Sequence, residues 1–305
     1  MMRSPHVRVE IHLPRVCAAA GAIRARIGRE VRLIAMIKAD AYGLGAAQVA
    51  SALDGQVDEF AYFSLAEARE VRRPGLVTGP PDGAPDEFAA LGVRPAISTL
   101  DEARRFAGRR VALHVDVGMQ RFGFSPDRLG EFISICGDEE CFAHAATLPQ
   151  AHALARAARG RVRMFHSAAS SLLDRPAAWQ HAVRPGYALF RDAVRVTTPL
   201  RLVRPTTGPV GYSRFRAERL GIIMAGYAHG LRPAPVVVNG RPQRVLEAGM
   251  NTAFVTVHPD DREGDEVMLL GDGVSPETIA RATRTRPHEA LLRACAMGER
   301  VWRVE

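Results

Sequence analysis

Lysine is almost absent from this chain, although positive charge is not. Of the 41 lysine and arginine residues, all but Lys38 are arginine. An arginine-rich coding bias has therefore replaced lysine wherever a position needed only a positive charge. A lysine amine can lose its proton and attack a carbonyl carbon, whereas a guanidinium cannot. The survival of Lys38 predicts a chemical role for it, against the alternative of a lone surface lysine left by chance.

Long apolar runs are also absent. No apolar stretch approaches the ~20 residues that a membrane-spanning helix needs, and the N-terminal Met-Met-Arg-Ser-Pro-His lacks the apolar core of a signal peptide. These absences predict a cytoplasmic protein with no membrane partner. With 305 residues, 47% of them hydrophobic and 24% charged, the chain has the composition of a globular protein and room for one large and one smaller domain.

Cysteine is scarce, and the four cysteines lack the spacing of metal ligands. Only Cys136 and Cys141 lie near each other, and no flanking histidine pattern completes a zinc site around them. We therefore expect no metal site. The four residues are interpreted as reduced cysteines that mostly pack in the core, namely Cys17, Cys136, Cys141 and Cys295.

The arginines lack the aromatic-rich motifs that accompany nucleic-acid binding. The net charge is +8, and the pairs Arg72-Arg73, Arg104-Arg105 and Arg109-Arg110 are candidate contacts for a nucleic acid. However, the arginines are spread along the chain among alanines and acidic residues. We interpret them as solvated helix faces and predict no nucleic-acid partner. The positive field would favour an anionic substrate or cofactor.

The stretch around Lys38 has the pattern of a strand followed by a tight turn. Leu33 to Ile37 is a short apolar run of the kind that forms a buried strand. Gly43 and Gly45 then allow the backbone to turn before the next helix. Lys38 and Tyr42 are thus predicted to lie at the C-terminal end of a strand, which in a (β/α) barrel is the end that carries the active site.

Strand and helix signals alternate up to Phe190, which is typical of a parallel sheet. The number of these strand–helix units predicts an α/β fold, namely a closed (β/α)8 TIM-type barrel. Two of its helices are predicted to begin with a Ser/Thr-x-x-Glu capping pattern, at Ser64 and at Thr99. After Phe190, short strand-like runs separated by Gly, Pro and Asp turns predict a mainly β domain. We place the barrel at residues 1–192 and the C-terminal β domain at 193–305. The predicted segments include the barrel helices Ala46–Leu53 and Leu65–Val71, and the β-domain runs Val194–Val203, Arg219–Met224, Pro235–Val238, Asn251–Val257 and Glu266–Leu270.

The nine residues Ile37–Gly45 resemble the cofactor-lysine motif of the alanine racemases, Val-Lys-Ala-Asn-Ala-Tyr-Gly-His-Gly. The main differences are Asp40, where the family has asparagine, and Leu44, where it has histidine. The resemblance implies that Lys38 holds pyridoxal 5'-phosphate as a Schiff base and that Tyr42 contacts the phosphate of this cofactor.

A second segment, His114–Phe124, resembles the racemase sequence Lys-Val-Asp-Thr-Gly-Met-Gly-Arg-Leu-Gly-Phe. On its own, Arg121 could be a structural salt-bridge partner. The resemblance implies instead that Arg121 binds the substrate carboxylate and the phenolic oxygen of the cofactor through charge-assisted hydrogen bonds. The family's lysine at the position of His114 is usually carbamylated and orients this arginine. A neutral histidine cannot supply that negative charge, so we expect Arg121 to be oriented differently.

Two histidine-containing segments resemble further parts of the family. Phe142–Thr147 is similar to its His-Phe-Ala-Thr region, and Phe165–Ser171 to its His-x-Ala-Asn-Ser-Ala. A lone histidine in an apolar strand is more often a core residue than a catalytic one, but two that end barrel strands make a functional role more plausible. The resemblance implies that Ser170 binds phosphate and that His144 belongs to the site, while Ala169 stands where the family has asparagine.

The segment Val183–Leu189 matches the racemase sequence Val-Arg-Pro-Gly-Ile-Ala-Leu. Gly186 allows a close backbone approach to a phosphate, and Tyr187 supplies the next amide. The resemblance places Arg184 opposite the pyridine nitrogen of the cofactor. A guanidinium donates a hydrogen bond without losing its proton, so the ring nitrogen stays unprotonated and cannot fully absorb the electrons of a carbanion.

The Gly-Tyr-Ala-His-Gly segment that contains Tyr227 resembles the family's Gly-Tyr-Ala-Asp-Gly. The resemblance implies that Tyr227 is a base on the substrate face opposite Lys38, contributed by the second subunit of a head-to-tail homodimer. A tyrosine with the ordinary pKa of ~10 is a poor base. A hydrogen-bonded chain through His144 and Arg184 is implied to activate it.

A further short segment contributes Met250. The resemblance implies that Met250 contacts the substrate through its backbone. Two positions in these last segments, His229 and Asn251, stand where the family has aspartate.

Together these motifs predict a pyridoxal-phosphate-dependent amino-acid racemase in which Lys38 and Tyr227 exchange the α-proton from opposite faces. The substrate is predicted to be larger or more polar than alanine. Near the C-terminus the family has a tyrosine that narrows the entrance, and the aligned residue here is Glu299. Further departures from the alanine-specific pattern lie at His114, Ala169 and Asn251.

Two alternatives are another enzyme of the same cofactor fold, a decarboxylase or an aldolase, and a non-catalytic cofactor-binding protein. Arg184 argues against decarboxylation, because a carboxylate opposite the ring nitrogen would suit that reaction better. The absence of a metal-site signature argues against an aldolase. Non-catalytic relatives are single barrels, so the stretch after Phe190 argues for an enzyme.

Overall fold

The computed structural model describes residues 2–305, which form two compact units. The first, here called the barrel unit, consists of Cys17–Ala41 and Gly45–Leu189. The second, here called the β unit, consists of the chain up to Val16, Tyr42–Leu44 and Phe190–Glu305. The chain thus leaves the barrel unit for three residues immediately after the segment that contains Lys38.

The elements follow one another along the chain as strands and helices. Up to residue 190 they are β1 (Ser4–His12), α1 (Leu13–Ile27), β2 (Arg32–Met36), α2 (Ala46–Leu53), β3 (Glu59–Tyr62), α3 (Leu65–Val71), β4 (Gly75–Val77), α4 (Pro85–Ala90), β5 (Val93–Ile97), α5 (Leu100–Arg105), β6 (Ala112–His114), α6 (Leu129–Cys136), β7 (Glu140–Ala145), α7 (Leu148–Ala158), β8 (Met164–Ala169), β9 (Ala182–Arg184) and α8 (Tyr187–Phe190). The remaining elements are β10 (Val194–Pro199), β11 (Leu202–Pro205), β12 (Arg219–Ile223), β13 (Pro235–Val238), β14 (Arg241–Ala248), β15 (Ala253–Val255), β16 (Glu266–Leu270), α9 (Pro276–Thr283), α10 (Pro287–Cys295) and β17 (Gly298–Arg303).

The strands β2 to β9 form a closed parallel barrel, which confirms the predicted TIM-type fold. β9 pairs with both β8 and β2, with Val183 opposite Leu33, and so closes the ring. Because all eight strands run in one direction, their C-terminal ends meet at one rim. An apolar cluster in the barrel combines the large ring of Phe142 with smaller side chains, namely Ile34, Ala61, Leu76, Ala96, Ala112 and Ala182.

Local capping explains where two of the barrel helices begin. At α3, the hydroxyl of Ser64 accepts a hydrogen bond from the backbone N–H of Glu67 at 3.2 Å. At α5, Thr99 and Glu102 form both halves of a capping box, because each side chain accepts from the other residue's backbone N–H. The predicted bounds of α2 and α3 are confirmed.

The β unit contains a nine-stranded, mainly antiparallel sheet in the order β11-β12-β15-β14-β13-β16-β10-β1-β17. β1 lies between β10 and β17, so the N-terminal strand belongs to this sheet. A domain boundary between residues 192 and 193 stays a prediction. Among residues 2–305, no helix is long and apolar enough to cross a bilayer.

Candidate active site

Most of the predicted site residues of the barrel unit lie at the C-terminal rim of the barrel. Lys38 lies just beyond β2, Ser170 follows β8, and Gly186 lies just beyond β9. These three strands are neighbours in the barrel. His114 and His144 lie at the ends of β6 and β7 on the same rim. The parallel topology therefore brings together residues that are up to about half the chain apart in sequence.

Lys38 is followed by a left-handed turn. The residues at positions 39–42 all have φ between 52° and 57°, a region that costs an L-residue roughly 1–2 kcal/mol. Two carboxylates stabilise this turn. Asp40 accepts a hydrogen bond from the N–H of Ala46 at 2.7 Å, and Glu67 accepts from the N–H of Ala39 at 2.8 Å. Backbone strain concentrated beside a reactive residue is a common feature of functional sites.

Glu67 connects this turn to the next strand of the barrel. Its second carboxylate oxygen accepts from the N–H of Phe63, at the end of β3, at 2.7 Å. One side chain thus holds the segment after Lys38 and the end of the neighbouring strand together. The capping pattern assigned Glu67 only to its own helix, so this second role was not predicted.

The amine of Lys38 lies in an environment that disfavours its charged form. Burial lowers the pKa of Lys38, the positive charges of Arg121 and Arg184 lower it further, and Glu67 opposes part of this change. A lowered pKa increases the fraction of neutral amine, which is the form that attacks a carbonyl carbon or accepts a proton.

Arg184 is buried at the end of β9 and tightly held. One of its terminal nitrogens contacts Nδ1 of His166 and donates to the backbone carbonyl of His166 at 3.1 Å. The other donates to the carbonyl of Ala143 at 2.5 Å, and the guanidinium lies 5.1 Å from the ring centre of Phe142. Burial lowers the pKa of Arg184 to about 10, and Glu140 opposes part of this shift. Arg184 therefore remains a cation at neutral pH.

Of the two motif histidines, His166 is the one that contacts Arg184. The resemblance implied this position for His144, but no hydrogen bond joins His144 to Arg184 among the described residues. His144 still lies in the field of the site cations. Burial, and then the charges of Arg184, Arg121 and Lys38, lower the pKa of His144 to about 4. His144 is therefore neutral at physiological pH.

Ser170 and the segment after β9 form a small polar cradle. The Ser170 hydroxyl accepts hydrogen bonds from the backbone N–H groups of Gly186 and Ala188, both at 3.1 Å. A hydroxyl whose oxygen accepts from two amides still has its own proton to donate to an anion such as a phosphate. Tyr187, whose amide was predicted to bind the phosphate, follows Gly186 in the sequence, and its role stays a prediction. Tyr42 belongs to the β unit, and the centre of its ring lies 5.5 Å from the ring centre of Phe190. Burial raises the pKa of Tyr42 to about 12.

Arg121 lies on a loop that returns to the end of β6. Asp116 organises this loop by accepting hydrogen bonds from the N–H groups of residues 118, 119 and 120 at 2.8–2.9 Å. Among residues 2–305, Arg121 forms no hydrogen bond or ion pair, and its guanidinium lies 5.5 Å from the ring centre of Phe122. His114 instead stacks on Phe142 with ring centres 4.4 Å apart. His114 therefore does not replace the family's carbamylated lysine as a hydrogen-bond partner of Arg121.

The predicted site residues of the β unit, Tyr227 and Met250, are neighbours and are exposed by 54% and 58%. The N–H of Tyr227 donates to the carbonyl of Gly249 at 2.8 Å, and the N–H of Ala228 donates to that of Met250 at 3.0 Å. The buried His229 accepts from the N–H of Gly226 through Nδ1 at 3.1 Å and so stabilises the 3-10 turn that carries Tyr227.

Four contributions were not predicted from the sequence: the tether from Glu67, the loop organised by Asp116, the contact of His166 with Arg184, and Glu140, which hydrogen bonds to His166 at 2.9 Å. The Asp116 loop is local to its motif, whereas the other three depend on contacts between residues that no local motif joins. Within residues 2–305, no three His, Cys, Asp or Glu side chains are grouped so that they could hold a metal ion.

Comparison with known proteins identifies the family. The profile of the alanine racemase N-terminal domain matches residues 11–194, and that of the alanine racemase C-terminal domain matches residues 202–305. The alanine racemase of Methylobacterium nodulans is 30% identical over 323 residues, covering 84% of this chain and 85% of the relative.

Solved structures agree in fold. The biosynthetic alanine racemase of Pseudomonas aeruginosa superposes with a TM-score of 0.89 at 24% identity, covering 99% of this chain and 100% of the other. The alanine racemase of Bartonella henselae, solved with covalently bound pyridoxal phosphate, gives a TM-score of 0.86 at 21% identity, covering 98% and 99% of the two chains. The two profile matches together span nearly the whole of this sequence, and the chain therefore belongs to the alanine racemase family and is an amino-acid racemase.

Proposed function

We propose that this racemase binds pyridoxal 5'-phosphate through Lys38 and exchanges the α-proton of an amino acid between Lys38 and a tyrosine, Tyr227 of the partner subunit. The observation that carries the proposal is the position of the only lysine. It lies at the C-terminal rim of a closed parallel barrel, in surroundings that lower the pKa of its amine. The covalently bound cofactor in the Bartonella henselae relative supports it.

The residues at the rim fit this cofactor. Lys38 would supply the amine for its aldehyde. The Ser170 hydroxyl, whose oxygen accepts from the amides of Gly186 and Ala188, would donate its own proton to the phosphate. Arg184 would meet the ring nitrogen. When bound, the cofactor supplies an electron-withdrawing ring that makes the α-hydrogen of an attached amino acid acidic.

Arg184 would limit the chemistry to racemisation. Its cation is held by the backbone carbonyls of His166 and Ala143, so it can donate a hydrogen bond to the ring nitrogen without transferring the proton. An unprotonated ring nitrogen withdraws electrons less strongly, which shortens the life of the carbanion and disfavours decarboxylation and transamination.

Two bases would act on opposite faces of the substrate. Lys38, with its lowered pKa, would take or give the α-proton on one face. Tyr227 of the partner subunit would do so on the other face. Support for a shared site comes from the exposure of Tyr227 and Met250, which leaves both free to meet a second copy of the chain. Arg121, on its loop beyond β6, would bind the substrate carboxylate.

The role of Lys38 can be tested with borohydride. Purified protein is expected to show the absorbance of a cofactor bound to an amine, and borohydride is expected to fix the cofactor on Lys38, as located by peptide mass spectrometry. Exchange of the α-hydrogen of L-alanine and other amino acids in deuterated water measures the reaction itself. A Lys38→Ala protein that still held a borohydride-reducible cofactor would contradict the proposal.

The shared site can be tested by mixing two inactive proteins. Lys38→Ala and Tyr227→Phe homodimers are each expected to lack activity. After subunit exchange, a hybrid dimer contains one intact site and one doubly damaged site, so partial activity should return. Exchange demonstrated by mass spectrometry with no return of activity would show that the site is not shared.

A further inference from the structure

A network of charged and polar side chains, here called the polar network, crosses the interior of the barrel, where layers of apolar side chains are usual. Its central members are Arg184, His166, Glu140 and Arg94, which are exposed by 4%, 0%, 4% and 2%. They come from strands β9, β8, β7 and β5. Arg184 is the last residue of β9, whereas Glu140 is the first residue of β7. The polar network therefore begins at the C-terminal rim, which carries the candidate active site, and runs toward the opposite rim.

Ion pairs hold the Arg94 end of the polar network in place. Arg94 forms a bidentate ion pair with Glu59, the first residue of β3. Its Nη2 donates to Oε2 of Glu59 at 2.9 Å, and its Nη1 donates to Oε1 over a shorter distance. The half-exposed Arg32 lies 3.8 Å from the same carboxylate. Arg94 also contacts Glu140, with Nε 2.5 Å from Oε2 and Nη2 3.1 Å from Oε1. Glu140 is thus fixed from the N-terminal side of the barrel.

The protonation state of His166 follows from its two partners. An arginine can only donate hydrogen bonds, so Nδ1 of His166, which contacts Arg184, must carry a lone pair. The ring proton is therefore on Nε2, which lies 2.9 Å from the Glu140 carboxylate and donates to it. A doubly protonated ring would direct an N–H at the guanidinium. Burial, and then the charge of Arg184, lower the pKa of His166 to about 4, in agreement with a neutral ring.

The carboxylate of Glu140 remains charged despite its burial. Burial alone would raise the pKa of Glu140, but the hydrogen bond from His166 and the charge of Arg94 outweigh it and lower the pKa to about 2. Burying ion pairs is often no more stabilising than filling the same space with apolar side chains. Stability alone therefore does not account for a charged network of side chains that ends at Arg184.

We propose that Glu140 is a positioning residue for Arg184. Through the Nε2–H of His166 it fixes the tautomer that presents a lone pair to the guanidinium, while Arg94 and Glu59 hold Glu140 in place. The negative charge of Glu140 makes Nδ1 a stronger acceptor, which makes Arg184 a weaker proton donor toward the ring nitrogen of a bound cofactor. This last step rests on the proposed function, whereas the tautomer of His166 does not.

Glu140→Gln is the informative variant, because a glutamine has one oxygen where the glutamate has two. If the amide oxygen faces His166, the NH2 group faces Nε of Arg94. If the amide is reversed, the NH2 group faces the ring and favours the other tautomer of His166. The Asp261→Asn protein is the matched control, because Asp261 is a fully buried carboxylate of the β unit paired with Arg241.

Nitrogen-15 NMR of histidine-labelled protein reads the tautomer directly, with or without cofactor. Wild-type His166 is expected to keep its proton on Nε2 and not to titrate between pH 5.5 and 8. Glu140→Gln should shift the tautomer and lower kcat about 10-fold or more, as when an outer hydrogen-bond partner of a functional histidine is lost. KM should change less than kcat, and the amount of 2-keto acid formed per racemisation event should rise. Asp261→Asn should change none of these values.

Two results would overturn the proposal: a wild-type His166 protonated on Nδ1, or a folded Glu140→Gln protein with wild-type kcat and keto-acid formation. If Glu140→Gln does not fold, Glu140→Asp retains the charge but shortens the reach, and an unchanged His166 tautomer with unchanged kcat there would count against it. If the wild-type protein binds no cofactor, the proposed function fails, but the tautomer measurement still decides the position of the proton.

Discussion

At the scale of single residues, the sequence indicates a chemical role where no other side chain could replace the one present. Lys38 is the clearest case, because all the others among the 41 lysine and arginine residues are arginine. The structure supplies a physical reason for this, since burial and two nearby arginines lower the pKa of an amine at this position. An arginine there would keep its proton and could not act as a nucleophile or base.

Glu299 carries the prediction about the substrate. It is an exposed residue of β17, and the resemblance implies that a tyrosine narrows the entrance at this position in the family. A Glu299→Tyr variant should lower kcat/KM for large and polar amino acids about 10-fold relative to alanine, because a ring restricts the entrance and a carboxylate does not. The measurement is kcat/KM over an amino-acid panel for both proteins. If wild-type protein already prefers alanine, the predicted specificity is wrong.

At the scale of elements, short connections rather than helices and strands position the reactive groups. The left-handed turn after β2 is held by Asp40 and by Glu67, which lies on α3. The 3-10 turn that carries Tyr227 is held by His229. All three side chains accept hydrogen bonds from backbone N–H groups. The two turns can therefore be weakened separately, each by replacing one of these side chains.

Replacing Glu67 by alanine should loosen the turn that follows Lys38. The change removes two hydrogen bonds to a charged acceptor, at 2.8 and 2.7 Å, each worth roughly 1.5–3 kcal/mol. It also removes the charge that opposes the lowering of the Lys38 pKa. We expect a lower free energy of unfolding in urea and weaker cofactor retention on dialysis. Glu70→Ala, on the same helix, is the control. Equal retention in all three proteins would contradict the role of Glu67.

Replacing His229 by leucine should disorder the turn that carries Tyr227. Leucine cannot accept the hydrogen bond from Gly226, whereas aspartate, the residue of the family, can. We expect His229→Leu to lower kcat about 10-fold or more, with cofactor binding on the barrel unchanged, and His229→Asp to retain most activity. Racemisation rates and cofactor absorbance separate the two effects. A fully active His229→Leu protein would show that the turn needs no side-chain acceptor.

At the scale of the whole molecule, the buried histidines of the barrel couple stability to pH. Burial, and then the charge of Arg184, lower the pKa of His114 to about 3 and that of His166 to about 4. In the unfolded chain both would titrate near ~6.5. Below that pH the unfolded state therefore binds more protons than the folded state, so folding stability falls as the pH falls.

The expected loss is about 1.4 kcal/mol per pH unit for each histidine between pH ~6.5 and ~4, or about 3 kcal/mol per unit for this pair. His144, whose pKa is lowered to about 4, adds to the loss in the same direction. Urea unfolding at several pH values measures the slope. A His114→Phe variant, which retains a ring to stack on Phe142, should lower the slope by about 1.4 kcal/mol per pH unit. A free energy of unfolding that does not change between pH 6.5 and 5 would contradict the burial of neutral histidines.

The sequence by itself determined the features that depend on neighbouring residues. The helices α2 and α3, the caps at Ser64 and Thr99, and the strands β13 and β16 follow from local periodicity and from hydrogen bonds within a few residues. The alternation of these elements was enough to predict a parallel barrel, because parallel strands need helical crossovers. Family motifs then supplied the expected cofactor lysine.

Only the tertiary structure decided the features that depend on distant residues. β14 and β17 were not predicted, because their sequences lack a clear alternation and they are strands through their pairing with β13, β15 and β1. The choice of His166 over His144 as the partner of Arg184, and the burial of Glu140 against Arg94, likewise join separate strands. A pattern within one segment indicates which face of it is buried, but not which side chain of another strand meets it, because that depends on the register and closure of the whole barrel.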